Sequence, residues 1–235
     1  MKSLVLRLVK VMAGLFLLSA AIVLTCQAGL GIAPWDVLSQ GMSVLTQGTA
    51  VAMTMGQASI ASGAVIILVD LLARERIGVG TILNLIFIGT FIDLINVWNQ
   101  KLGLVPMASG LWDGLALLVL SFPVMALGMY LYMSPKLGAG PRDSLMVAVK
   151  RRAPYPVGVC RMVIEAVVLV VGWLMGGTVG VGTVLLVLGN GPAMQWCFTL
   201  FRFDVEAAPN DGITDTLRQI GARLHKKTAP QVQEK

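Results

Sequence analysis

The sequence predicts an all-α membrane protein of six transmembrane helices, arranged as two inverted three-helix repeats. Three observations predict it. First, 56% of the 235 residues are hydrophobic and only 13% are charged, with a mean hydropathy of +0.81. Soluble chains carry about 25% charge, so this chain has too little polar surface to face water all round. Second, the stretch Gly29-Leu30-Gly31-Ile32-Ala33-Pro34-Trp35-Asp36-Val37-Leu38 recurs as Lys136-Leu137-Gly138-Ala139-Gly140-Pro141-Arg142-Asp143-Ser144-Leu145. Third, Gly78-Val79-Gly80-Thr81 recurs as Gly180-Val181-Gly182-Thr183, and Gly56 and Gly89 recur as Gly158 and Gly191.

About 20 apolar residues cross a hydrocarbon core of roughly 30 Å. On that measure the first repeat, residues 1–110, carries spans at 8–28, 50–72 and 79–98. Lys2, Arg7 and Lys10 ahead of the first span imitate a secretory leader, but the repeat needs this segment as a helix. Gly29 and Gly31 then form a turn, and Pro34 with Asp36 opens a short helix over 34–46. Proline suits a first helical turn, and an acid there meets the positive end of the helix dipole. That segment is too short to span. The second repeat, residues 111–203, has spans at 112–134, 156–175 and 179–201, with Pro123 as an expected kink. Gly138, Gly140 and Pro141 open its short helix, 141–151. A polar cytosolic tail, 204–235, places Ile213, Leu217, Ile220 and Leu224 on one side of an amphipathic helix over 211–226.

Three spans per repeat force the two halves into opposite orientations. The charges test this independently. With both termini in the cytosol, every Lys and Arg lies inside except Lys101, which is outside, and Arg161, which is within a span. This is the positive-inside pattern of a multi-pass protein of a bacterial inner or plasma membrane. The net charge of +6 therefore signals orientation, not nucleic acid. The two short helices then approach from opposite faces, as in transporters whose sites lie where inverted repeats meet.

Ionisable groups inside a bilayer are costly, so they mark a cavity or a partner. Arg161 and Glu165, four residues apart, share one helix face as a structural pair or a substrate or proton site. Glu165 lies roughly 14 Å, and Asn190 roughly 16 Å, from the cytosolic ends of their spans at 1.5 Å per residue. Gly189-Asn190-Gly191-Pro192 is expected to break the last span there. Asp36, Arg142, Asp143 and Asp93 complete the candidate substrate or ion path. Asp70 is expected to pair with Arg74, and Trp35, Trp98, Trp112 and Trp196 to anchor the interfaces. Cys26, Cys160 and Cys197 form no disulfide pattern, and His225 is the sole histidine. No nucleophile–base pair, metal spacing or dinucleotide fingerprint appears, so neither an enzyme nor a cofactor or metal is expected.

Together the two Gly/Pro motifs, Arg161 with Glu165, and Gly180-Val181-Gly182-Thr183 resemble those of YczE/YitT-type bacterial integral membrane proteins. The resemblance covers about residues 8–201 and is closer to the YczE-like branch, because the tail is too short for the soluble C-terminal domain typical of YitT-like members. It implies a plasma-membrane protein and bears on fold more than on function. The expected function is a small secondary transporter of a small molecule or ion. A channel-like pore, the substrate-capture subunit of a larger importer, and a membrane assembly or regulatory factor are the alternatives. The lipid bilayer is the implied partner, with a homo-oligomer as an option.

Overall fold

The computed structural model describes residues 2–203 apart from Arg76, Ala139 and Pro156, and leaves the side chains of residues 2–4, 143, 147, 157 and 158 undescribed. The expected tail helix over 211–226 lies outside these residues. The described residues form helices and no strands: α1 (Lys2–Ala28), α2 (Pro34–Thr46), α3 (Met55–Leu72), α4 (Val79–Leu102), α5 (Leu111–Met133), α6 (Pro141–Arg152), α7 (Val157–Leu174) and α8 (Val181–Leu200). Five of them, α1, α3, α4, α5 and α8, are long and apolar enough to cross a membrane.

Local chemistry sets the helix ends. The second span begins at Met55 and not at residue 50, because Thr54 caps it. The Thr54 hydroxyl accepts from the Gln57 amide while the Gln57 side chain accepts from the Thr54 amide. α4 runs past the expected residue 98 and stops where Gly103 turns left-handed at φ 59°. α5 continues through Pro123 and α8 through Pro192, so the expected break at Asn190 does not form. The expected Asp70–Arg74 pair does not form either. Arg74 lies beyond the helix end at φ 60°, and both Asp70 carboxylate oxygens are buried without a hydrogen-bond partner.

α1 and α5 make the central pair. They run antiparallel: Ala28 lies beside Gly114, and Gly14 beside Gly128 and Tyr132. A Cβ on Gly14 would sit 2.5 Å from the Tyr132 amide nitrogen, so the backbones touch. Small residues drive helix association in lipid, where burying apolar side chains gains little. α1 is the most buried of the five spans, with Val11, Leu15, Leu18 and Ile22 in the core. α4 flanks α1 and α8 flanks α5, while α3 packs on α4 and α7 on α2.

The repeated motifs dock on each other in a crossed pattern. The Gly80 amide donates to the Leu137 carbonyl, and the Gly182 amide to the Leu30 carbonyl, each at 2.7 Å. Leu30 and Leu137 occupy matching places in the two Gly/Pro motifs. Gly31 (φ 106°) and Gly138 (φ 127°) adopt backbone that L side chains rarely tolerate. A Cβ on Gly31 would meet the Gly180 nitrogen at 2.6 Å, and one on Gly138 the Gly78 Cα at 2.7 Å. Each Gly/Pro turn thus seats on the start of the last long helix of the other half.

Candidate functional site

A cavity of about 480 Å³ lies where the two short helices meet. Pro34 and Pro141 occupy the first turns of α2 and α6, with Ala33 and Gly140 as the preceding caps. These turns face mid-helix residues of the central pair, Leu18 and Ile22 of α1 and Met125 and Met129 of α5. Both short helices therefore point their N-termini inward. That is where unpaired N–H groups and the positive dipole end gather.

Among the described residues, four charged side chains line this cavity. Arg142 of α6 comes within 3.7 Å of Asp36 of α2, and its guanidinium lies 5.2 Å from the centre of the Trp35 ring. The Asp36 side chain is almost fully buried, and that of Arg142 is 32% exposed. A separation of 3.7 Å is an ion pair without a direct hydrogen bond. On α7 the Arg161 Nε donates to Glu165 Oε1 at 2.8 Å, the four-residue pairing the sequence predicts. Arg161 and Glu165 of α7 line the cavity together with Asp36 of α2 and Arg142 of α6, so two ion pairs from different helices share one space.

Amides complete the lining: Asn84 of α4, and Asn190 and Gln195 of α8. Methionines form much of the apolar wall, and their unbranched side chains adapt to varied shapes.

The sequence-derived candidates divide clearly. Glu165, Arg161, Asn190, Arg142 and Asp36 converge on the cavity, as do Pro34, Gly140 and Pro141. Gly29, Gly31 and Gly138 shape the turns behind it, all at positive φ. The side chain of Asp143 lies outside the described residues. Asp93 is not among the lining residues. It sits in the α3/α4 seam, where it accepts from the Thr54 hydroxyl at 2.5 Å and the Gly56 amide at 3.0 Å. Trp35, expected at an interface, instead lines the cavity beneath Arg142. The signal was present, since Trp35 and Arg142 hold matching places in the two motifs. Among the described residues there is no group of three or more His, Cys, Asp or Glu able to hold a metal ion.

Residues 5–199 match a family model described as a family of unknown function, DUF6198. The chain belongs to this family. It is 33% identical over 197 residues to an uncharacterized membrane protein of Bacillus subtilis, YczE, covering 83% of this chain and 86% of that one. An uncharacterized protein of Haemophilus influenzae is 34% identical over 169 residues, 72% of each chain. A second Bacillus subtilis protein, the uncharacterized YyaS, is 25% identical over 179 residues, or 76% of this chain and 85% of that one. No solved structure matches. With a relative described as a membrane protein and five helices long and apolar enough to cross a bilayer, this DUF6198 chain is a membrane protein.

Proposed function

We propose that this DUF6198 protein is a small secondary transporter of the bacterial plasma membrane. In this reading α7 is a sixth span, the halves are inverted repeats, both termini are cytosolic, and the central cavity is the substrate site. The crossed docking of Leu30 on Gly182 and of Leu137 on Gly80 supports the two-fold relation. The inward N-termini of α2 and α6 support partial re-entry from opposite faces.

One observation carries the functional reading: two matching seams beside one cavity differ in state. The α3/α4 seam is shut. Gly56 and Gly89 touch backbone to backbone, and Asp93 bridges the helices. The α7/α8 seam is open. Among the described residues α7 has no comparable packing on α8, and a Cβ on Gly191 would meet nothing within 4 Å. A transporter built from repeats alternates access when its halves exchange conformations. The closed α3/α4 side favours this over a channel-like pore, which needs a continuous path.

The test uses spin labels on the full chain in lipid nanodiscs, one pair across each seam, at Gln57 with Thr90 and at Met162 with Leu188. The expected result is two distance populations per pair, with the α3/α4 pair lengthening as the α7/α8 pair shortens. One fixed distance at both seams under all conditions would sink the proposal.

A further inference from the structure

The transporter reading leaves the cargo open, and resting on that reading, the lining narrows its chemistry. We infer that the cavity takes a zwitterion, a ligand carrying an anionic group and an N–H-bearing ammonium on one molecule. Four charged groups face the space, and each keeps bonding capacity to spare. Among the described residues the Arg142 guanidinium meets the Asp36 carboxylate at 3.7 Å, longer than a direct hydrogen bond, and the Arg161 guanidinium bonds Glu165 through Nε. That leaves donor capacity for an anion. Among the described residues Asp36 faces only the Arg142 guanidinium, at 3.7 Å, and Glu165 accepts through Oε1, which leaves acceptor capacity for an ammonium.

Charge balance points the same way. The described lining holds two acids and two bases, Asp36 and Glu165 with Arg142 and Arg161, so its described charges balance. A singly charged ligand would leave net charge in a low-dielectric space, which is strongly unfavourable. An uncharged ligand would leave the remaining bonding capacity of both ion pairs without a charged partner. A zwitterion meets both and adds no net charge. Its anion fits best at Arg142, where two helix N-termini converge, and its ammonium at Glu165. The ammonium is expected to bear hydrogens, because Arg142 already covers the Trp35 face that a quaternary group would seek.

Two sources supply this chemistry: a free amino acid, and the headgroup of phosphatidylethanolamine entering through the open α7/α8 seam. The experiment measures thermal stabilisation of the purified full chain by L-leucine, by its decarboxylated amine 3-methylbutylamine, and by its deaminated acid 4-methylpentanoate. A parallel arm identifies lipids retained through purification by mass spectrometry, comparing phosphatidylethanolamine with phosphatidylcholine and phosphatidylglycerol.

Support is a shift with leucine at concentrations at least about tenfold below those needed for the amine or the acid, or selective retention of phosphatidylethanolamine. Either effect should be lost separately in Arg142→Gln and Glu165→Gln and kept in Lys101→Gln. Should one variant fail to fold, the other carries the test. An equal response to a singly charged analogue, or no response in either arm, overturns the inference. Binding without counterflow in proteoliposomes would remove the transporter reading and leave this one standing.

Discussion

The α3/α4 and α7/α8 seams come from matching stretches of sequence, yet one is sealed and the other is not. In the sealed seam Gly56 meets Gly89, and Asp93 ties α4 to the start of α3. At the place of Asp93 the second half has Gln195, which faces the cavity. At the places of Ser59 and Gly63 it has Arg161 and Glu165. The first seam thus spends its polar groups on closure, and the second presents them to the cavity. Matching sequence motifs thus carry different side chains, which close one seam and line the cavity beside the other.

The largest expected effect comes from filling the two seams. Gly89→Leu forces a side chain into the Gly56 backbone and should destabilise by about 3 kcal/mol or more, beyond ordinary overpacking. Gly191→Leu meets open space and should change stability by less than about 0.5 kcal/mol. Reversible unfolding in mixed micelles measures both, and equal losses would break the comparison.

A second experiment sharpens the match between halves. Gly31→Ala and Gly138→Ala each place a Cβ at positive φ against backbone, and each should cost about 1–3 kcal/mol in the same assay. A large loss at one site only would show that the two turns are not equivalent supports.

The smallest effect separates the polar roles. Asp93→Ala removes bonds across α3/α4, and interhelical hydrogen bonds in membranes average about 0.6 kcal/mol, with a maximum of about 1.7. Gln195→Ala should leave stability unchanged, because among the described residues its side chain has no hydrogen bond, and should weaken ligand response instead. A reversed outcome would exchange the assigned roles.

Much of this was legible in the sequence. Apolar length, turn chemistry and duplicated motifs located the eight described helices, and four-residue spacing located the Arg161–Glu165 pair. Pairings between helices were less legible, because periodicity reports that a face is apolar without naming what covers it. Asp93 looked like a path residue, but its reach to Thr54 depends on how closely α3 approaches α4. Pro192 looked like a break, yet α8 absorbs one lost donor within a continuous helix. Trp35 followed the usual interfacial habit of tryptophan, and only the return of α2 toward α6 brought it under Arg142.

The central place of α1 has a consequence for biogenesis. Its small-residue face, centred on Gly14, is completed by Gly128 and Tyr132 of α5, more than a hundred positions downstream. During synthesis that face has only lipid or the insertion machinery for company until α5 arrives. A nascent chain halted after α4 would leave the core helix without its mate, a natural target for membrane quality control.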